Sequence, residues 1–269
     1  MSRFVRMMVA FLAIIIFLST TFAAVAVFLI GERVLAEAHN RVASDLNSAE
    51  EMYDAYSDSL YDLIRLSADH TYLHEAMRAG DVTAAAGKLA ATMVSERLDF
   101  LTVTDATGVV LMRAANPDVV GDSQAGQSIV AAALGRATPV VGTAVFGAEM
   151  LGRESPLLRE AAELQLVETR GARPRAGTVE TDGLVLLSAA PLVDETGGVI
   201  GALYGGLLLT RRTEIVDLIK ATLFEGARYE DRDIGTATIF LDDVRIDTNV
   251  VNEDGSRAIG TRVSEEVYD

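Results

Sequence analysis

Arg113 is the side chain whose setting points most directly to chemistry. It ends the apolar segment Val109-Val110-Leu111-Met112, where a guanidinium can grip a carboxylate through two parallel hydrogen bonds. The same position suits a structural salt bridge or a solvated strand end equally well. His70 and His74 stand four apart on one helical face beside Asp69 and Glu75, a spacing able to bind metal. The glutamate is outside the His-Glu-x-x-His position and only His39 remains as a further histidine, so a solvated helix face is expected and no metal site. Asp242, Asp243 and Asp247 lack the loop glycine and twelfth-position glutamate of a calcium loop. The chain carries no nucleophile elbow, P-loop or distinct carboxylate pair. Gly201 to Gly206 lies in an apolar strand with no helix opening behind it, which excludes a dinucleotide loop. No catalytic residue and no cofactor are expected, and the chain as given reads as a non-enzyme.

Composition narrows the partners. With no cysteine, thiolate zinc sites, iron–sulfur clusters and cysteine nucleophiles are excluded. A net charge of −16 argues against nucleic acid and against a polybasic membrane surface.

The elements that must position Arg113 begin with an apolar run, Met7 to Ile30, interrupted only by Ser19, Thr20 and Thr21. As a helix this run spans roughly 36 Å, enough to cross a ~30 Å hydrocarbon core. Arg3 and Arg6 precede it while Glu32, Arg33 and Glu37 follow with net negative charge, which places residues 1–6 in the cytoplasm and the bulk outside. Ala24-Val25-Ala26 has the form of a signal-peptidase site. The run is longer than the usual 7–15-residue signal core and continues beyond that cut, which favours an uncleaved anchor. The expected location is the cell (inner) membrane, single-pass, with an extracytoplasmic bulk.

Leu35, Ala38, Val42, Leu46, Ala49, Tyr53, Tyr56, Leu60 and Leu63 recur at threes and fours, predicting one long amphipathic helix from Gly31 to about Ser67. Its narrow seam suits packing on the rest of the chain or across a parallel homodimer. Residues 31–97 therefore read as a helical stalk, with Gly80 ending one helix and Asp81 beginning another that runs to about Val94.

From Leu98 the pattern turns to strands. Leu98 to Asp105 and Val109 to Ala114 flank the turn Asp105-Ala106-Thr107-Gly108. Leu184 to Val193 and Val199 to Leu209 flank Asp194 to Gly198. Thr238 to Val251 leads through Asn252-Glu253-Asp254-Gly255 towards Ile259. Glycine supplies the positive φ of each turn, and the acidic residues satisfy turn amides. Between the first two hairpins we expect a helical and loop insertion: Ser128 to Leu134 ended by Gly135, Pro156 to Val167 capped by Ser155, and an exposed basic loop from Thr169 to Gly177. Arg211 to Leu223 reads as a helix. Repeated hairpins with helices before and between them give an α+β fold on an antiparallel sheet.

Two stretches resemble the Cache sensor domains, the extracytoplasmic relatives of PAS domains in bacterial chemoreceptors and sensor histidine kinases. Arg113-Ala114-Ala115-Asn116-Pro117 with Val120-Gly121 is similar to the Arg-x-x-His-Pro…Ile-Gly element of citrate and dicarboxylate sensors. Ala190-Pro191-Leu192-Val193-Asp194 to Gly197-Gly198-Val199-Ile200-Gly201, then Tyr204-Gly205-Gly206, is similar to the Pro-Val-x-Asp…Gly-x-x-Ile-Gly…Gly ending of such domains. The run from Gly235 to Val250, with Gly260 to Ser264, resembles the fused double type. The resemblance implies a first Cache unit at 98–223 and the start of a second, truncated one at 224–269. In that family a second membrane helix and a histidine kinase or chemotaxis module follow, so the chain reads as the sensing half of a receptor. Asn116 replaces the motif's histidine, and Leu187 stands where those sensors place a basic residue. The resemblance so altered implies a monocarboxylate or amino acid as small-molecule ligand, held by Arg113 with Asn116 and Ser188. Tyr204 either lines the pocket or packs in the sheet. A stand-alone anchored solute-binding protein is the alternative, and an extracytoplasmic enzyme ranks below it.

Overall fold

The computed structural model describes residues 3–224, 228–229, 232–233 and 235–268. The chain divides into two units, 1–51 and 52–269. The first is the amino-terminal part of helix α1 (Arg3–Ala68). Its apolar side chains Phe11, Ile14, Phe17, Phe22 and Phe28 are all exposed. Among the described residues no helix is long and apolar enough to cross a membrane. The run Met7 to Ile30 is helical, but the side chains of Val9, Ala10, Ala13, Ala24, Ala26 and Val27 fall outside the described set. So do those of Arg3 and Arg6, on which the expected orientation rests.

In the second unit α1 ends at Ala68, and two short helices follow, α2 (Thr71–Ala79) and α3 (Thr83–Ser95). Gly80 takes the left-handed conformation, φ 66°, that closes α2. Asp81 accepts the Thr83 amide, as a residue at a helix entry does. The separate helix α2 was not legible in the seam, because the chain breaks at Asp69-His70 without a glycine or proline.

The central sheet holds β1 (Phe100–Asp105), β2 (Val110–Arg113), β3 (Val140–Phe146), β6 (Gly183–Val193) and β7 (Val199–Leu208), all antiparallel in the order β2-β1-β7-β6-β3. The acidic turns behave as their chemistry dictates. Asp105 accepts the Thr107 and Val109 amides, and Asp194 those of Thr196 and Gly198. β3 corrects the expectation of a helix-and-loop insertion. Its burial does not alternate cleanly because it lies at the sheet edge, so the segment carries a weak period-2 signal. Around it lie α4 (Ser128–Arg136), α5 (Ala148–Glu154) and α6 (Pro156–Ala162). Helix α4 is closed by Ala137 at φ 53° rather than by Gly135. Ser155 caps α6 through the Leu158 amide, and α6 stops at Ala162, where β4 (Leu164–Gln165) pairs with β5 (Val179–Glu180).

Strand alternation sends successive side chains to opposite faces. On one face Leu101, Val103, Leu186, Leu203 and Leu207 pack with Leu60, Ile64 and Ala68 of α1, Leu73 of α2 and Leu89 of α3. On the other, Phe100, Leu187, Ala189, Tyr204 and Leu208 pack with Ile129 and Val130 of α4, Leu151 of α5 and Leu158 of α6. Glycine in β7 lets neighbouring strands close in. A Cβ at Gly206 would lie 2.4 Å from the Leu186 carbonyl oxygen and 3.0 Å from the Phe100 ring, so the glycine serves sheet packing.

After α7 (Thr213–Phe224) come the short pair β8 (Arg228–Tyr229) and β9 (Arg232–Asp233), then the hairpin β10 (Thr238–Leu241) and β11 (Val244–Thr248). This hairpin turns at Asp242, φ 54°, earlier than the sequence reading placed it. Asn252 to Gly255 forms a second turn, with Asp254 accepting the Ser256 amide and Val251 bridging Arg257. The basic loop is tied down at Arg175, which pairs with Glu180 and Asp243. A short helix α8 (Glu265–Tyr268) ends the described chain.

Candidate functional site

One rung of the sheet assembles the polar chemistry. Arg113 of β2, Thr102 of β1 and Tyr204 of β7 are register partners, so their side chains leave the same face, the one covered by α4 to α6. All three are essentially unexposed. Glu154, the last residue of α5 and itself buried, meets them there. Its Oε1 accepts from the Tyr204 hydroxyl at 2.7 Å and from Arg113 Nη2 at 3.2 Å, and its Oε2 accepts from the Thr102 hydroxyl at 2.7 Å. On the outer side Asp122 takes both terminal nitrogens of Arg113, at 2.7 and 2.8 Å, and Nη1 also donates to the Val119 carbonyl at 2.7 Å.

The electrostatics follow from these contacts. Burial works against the charge on Arg113, but Asp122 and Glu154 more than compensate and hold its pKa above the usual arginine value. The hydrogen bonds from Arg113 hold the Asp122 carboxyl down at about 2 against the desolvation that would raise it. Burial, reinforced by the Glu154 carboxylate, pushes the Tyr204 phenol well above its ordinary range. The hydroxyl is therefore a neutral donor at any physiological pH.

Of the ligand residues expected from the sequence, the structure brings Arg113 and Tyr204 to one carboxylate, and that carboxylate belongs to the protein. Arg113 thus makes the structural salt bridge that was one of its two readings. Asn116 lies alongside, donating to the carbonyls of Gly152 and Arg153 at the end of α5. Ser188 does not join them. It pairs with Gly205, one step from the Ala189–Tyr204 pair, so alternation sends it to the α1 face, where its hydroxyl donates to the Val140 carbonyl at 3.3 Å. A shared pocket of Arg113, Asn116 and Ser188 is thereby corrected: period 2 separates Ser188 from Arg113 by the thickness of the sheet. None of the four lines the two grooves that flank α5 and α6. His74 Nε2 lies 3.0 Å from the Ala68 carbonyl and His70 stacks on Tyr72, so these histidines serve local packing.

An open groove of about 670 Å³ runs beside this cluster. The loop Ser123 to Ser128, the edge strand β3 and helix α5 enclose it, with Gln124, Gln127, Thr143, Glu149 and Arg153 as its polar lining. The Arg153 guanidinium is half exposed. It holds Glu149 at 2.6 Å and approaches Asp122 at 3.5 Å. Arg153 and Asp122 therefore link the groove to Arg113 and the central rung. Neither Asp122, Glu154 nor Arg153 was singled out from the sequence. The only signal near Glu154 is the Ser155-Pro156 helix start behind it, which marks a joint between helices and says nothing of what the side chain reaches.

Residues 35–223 match a family model described as the double sensory domain of two-component sensor kinases. The chain belongs to this double Cache family. Residues 207–269 of the double Cache chain also match the model of single Cache domain 3. No curated protein matches it in sequence. Among solved structures, the periplasmic domain of Vibrio cholerae LuxQ is similar at 14% identity and TM-score 0.47, over 80% of this chain and 82% of that one. The V. cholerae histidine kinase DctB sensor domain is similar at 12% identity and TM-score 0.45, over 78% and 66%. The Escherichia coli DcuS sensor domain is similar at 16% identity and TM-score 0.36, over 58% and 91%.

Proposed function

We propose that this double Cache domain is the extracytoplasmic small-molecule-sensing region of a transmembrane receptor, a sensor kinase or chemoreceptor, anchored by Met7 to Ile30. Its ligand is a small carboxylate or an amino acid. The observation that carries the ligand reading is Arg153, a half-exposed guanidinium in an open polar groove, whose present partner Glu149 is an exposed carboxylate. A ligand carboxylate replaces Glu149 at little cost, since an exposed ion pair contributes only about 0–1 kcal/mol. Gln124, Gln127 and Thr143 supply neutral hydrogen bonds for the remainder of the ligand.

The groove has two routes to α1. Thr143 shares a 2.7 Å hydrogen bond with the hydroxyl of Tyr53 on α1. Arg153 is linked through Asp122 to Arg113, and the reverse face of that sheet packs on Leu60 and Ile64 of α1. A ligand that draws β3 and α5 together displaces α1 against the sheet, and helix displacements of 1–2 Å are a known currency of signalling.

Thermal-shift screening of the full chain in detergent, with small carboxylates set against matched amides, tests this. Binding to the folded state raises the melting temperature. Carboxylates are expected to shift wild type but not Arg153→Gln. A shift from uncharged compounds alone, or an equal shift in Arg153→Gln, removes the ligand reading. A periplasm-dependent reporter fused after Asp269 is expected to be active; activity of a cytoplasm-dependent reporter there overturns the anchor and the sensor placement together.

A further inference from the structure

The two edges of the central sheet are finished differently. Along β2 the segment Gly121 to Ser123 forms a cover: Val110 donates to the Asp122 carbonyl, Gly121 donates to the Val110 carbonyl, and Val109 bridges Ser123. β3 has no such cover. Among the described residues its main chain is hydrogen-bonded to β6 alone, so alternate amides and carbonyls between Val140 and Phe146 face outward without a main-chain partner. Natural edge strands are ordinarily blunted by charge, proline or a bulge. The seven residues of β3, Val-Val-Gly-Thr-Ala-Val-Phe, carry no charge and no proline, and their register with β6 runs unbroken. This open edge is a wall of the groove of about 670 Å³. Four consecutive residues, Thr143 to Phe146, line it, whereas a sheet face presents only alternate ones, so the groove offers main chain as well as side chains. Val145 is 55% exposed. Gly147 then leads into α5, which places the half-exposed guanidinium of Arg153 past the end of the strand.

We propose that the ligand of this groove is a short extended peptide, which adds to β3 as a sixth strand, parallel to it, and gives its C-terminal carboxylate to Arg153. This rests on the carboxylate reading of the groove and deepens it by naming the class of molecule that bears the carboxylate. The direction follows from chain order. β3 runs from Val140 towards α5, so a parallel peptide ends on the side of Arg153, while an antiparallel one brings its cationic amino terminus there. The length follows from the lining. Four strand residues at ~3.3 Å each match about four residues of peptide, and the groove falls within the roughly 300–1,000 Å³ of small-ligand sites. Main-chain bonds to β3 supply affinity, and the carboxylate contact fixes the register. The exposed Val145 favours an apolar or β-branched side chain opposite it. Strand addition stiffens β3, and Thr143 passes this on through its 2.7 Å hydrogen bond with Tyr53 of α1.

The probe is the tetrapeptide alanyl-valyl-alanyl-valine, titrated calorimetrically into the full chain in detergent. Its comparators are its C-terminal amide, acetate, and two N-methylated forms, one blocked at the second and fourth residues and one at the third. The free peptide is expected to bind wild type at least about tenfold more tightly than either the amide or acetate, and to lose that advantage in Arg153→Gln. A strand pairs through alternate residues, so one methylated form is expected to bind like the parent and the other at least about tenfold more weakly. Acetate binding as tightly as the peptide, or the two methylated forms behaving alike, overturns the strand addition and leaves the carboxylate reading at Arg153 standing. Equal affinity for peptide and amide, unchanged in Arg153→Gln, overturns both, as does a failure of peptide and acetate alike to bind. A Val145→Cys variant that crosslinks to itself without peptide assigns the edge to a second copy of the chain and overturns the proposal as well.

Discussion

Asp247→Asn should stabilise the protein at neutral and alkaline pH and cost it about 1 kcal/mol in acid. Asp247 lies on β11 with no exposed surface. One carboxylate oxygen accepts the Thr248 amide at 2.9 Å, while Oδ2 is buried without a partner. Desolvation raises its pKa from 3.8 to about 6, with Asp217 and Glu214 adding to the rise and the Thr248 amide and Arg257 opposing it. Because the folded-state value is raised, the folded protein holds the proton more tightly than the unfolded chain. Stability from this group is therefore intact below about pH 3.8, falls as the unfolded chain ionises between 3.8 and 6, and is flat above 6. A shift of about two units corresponds to about 3 kcal/mol at ~1.36 kcal/mol per unit. Asparagine keeps the acceptor for Thr248 and carries no charge, but its amide nitrogen inherits the unpartnered position at a cost of about 1 kcal/mol. The net expectation is a gain of about 2 kcal/mol at pH 8, or about 4–8 °C in melting temperature for a unit of this size. Urea denaturation of both proteins at pH 3.5 and pH 8 measures it. An equal difference at the two pH values, or a loss at pH 8, refutes the claim that burial of charge at Asp247 opposes folding.

The carboxyl of Asp122 shifts the other way. With its pKa lowered to about 2 by Arg113, it contributes stability that is present above pH 3.8 and lost as pH falls through 2, so Asp122→Asn should cost about 2 kcal/mol at pH 7 and flatten the acid limb of a stability–pH curve. Tyr204→Phe keeps the ring against Phe100 but deprives Glu154 of its hydroxyl donor, and should lower the unfolding free energy by about 1–3 kcal/mol in urea titration. Val42 and Leu46 are exposed apolar positions on α1. If the seam joins two copies of the chain, a cysteine at Val42 should crosslink under mild oxidation while one at Asn47 should not, and uniform crosslinking would remove the dimeric stalk.

The hairpins were legible because their information is local. Asp105 and Asp194 satisfy turn amides two and four residues ahead, and Gly108 and Gly197 take the positive φ these turns require. The edge strand β3 and the helices around it were harder to read. β3 is half-covered and its residues are small, so no clean alternation marks it, and the short helices α5 and α6 carry little periodic pattern. The β10–β11 turn was misplaced because Asp242-Asp243 looks less like a turn than Asn252 to Gly255, and both are turns in the fold.

The sequence by itself determined the class of molecule: an apolar amino-terminal helix, an acidic chain without cysteine, and paired strands joined by Asp- and Gly-bearing turns, all set by composition and by contacts a few residues apart. It also picked out Arg113 and Tyr204 as residues of consequence. Only the tertiary structure decided what they do. Arg113 and Tyr204 lie 91 positions apart in the chain, and the sheet register alone makes them neighbours. Which carboxylate they meet was decided by α5, which delivers Glu154 to the rung, and the same register carries Ser188 to the opposite face. A pairing of charges across the fold depends on which strand lies beside which and on the side each residue faces, and no local pattern encodes either.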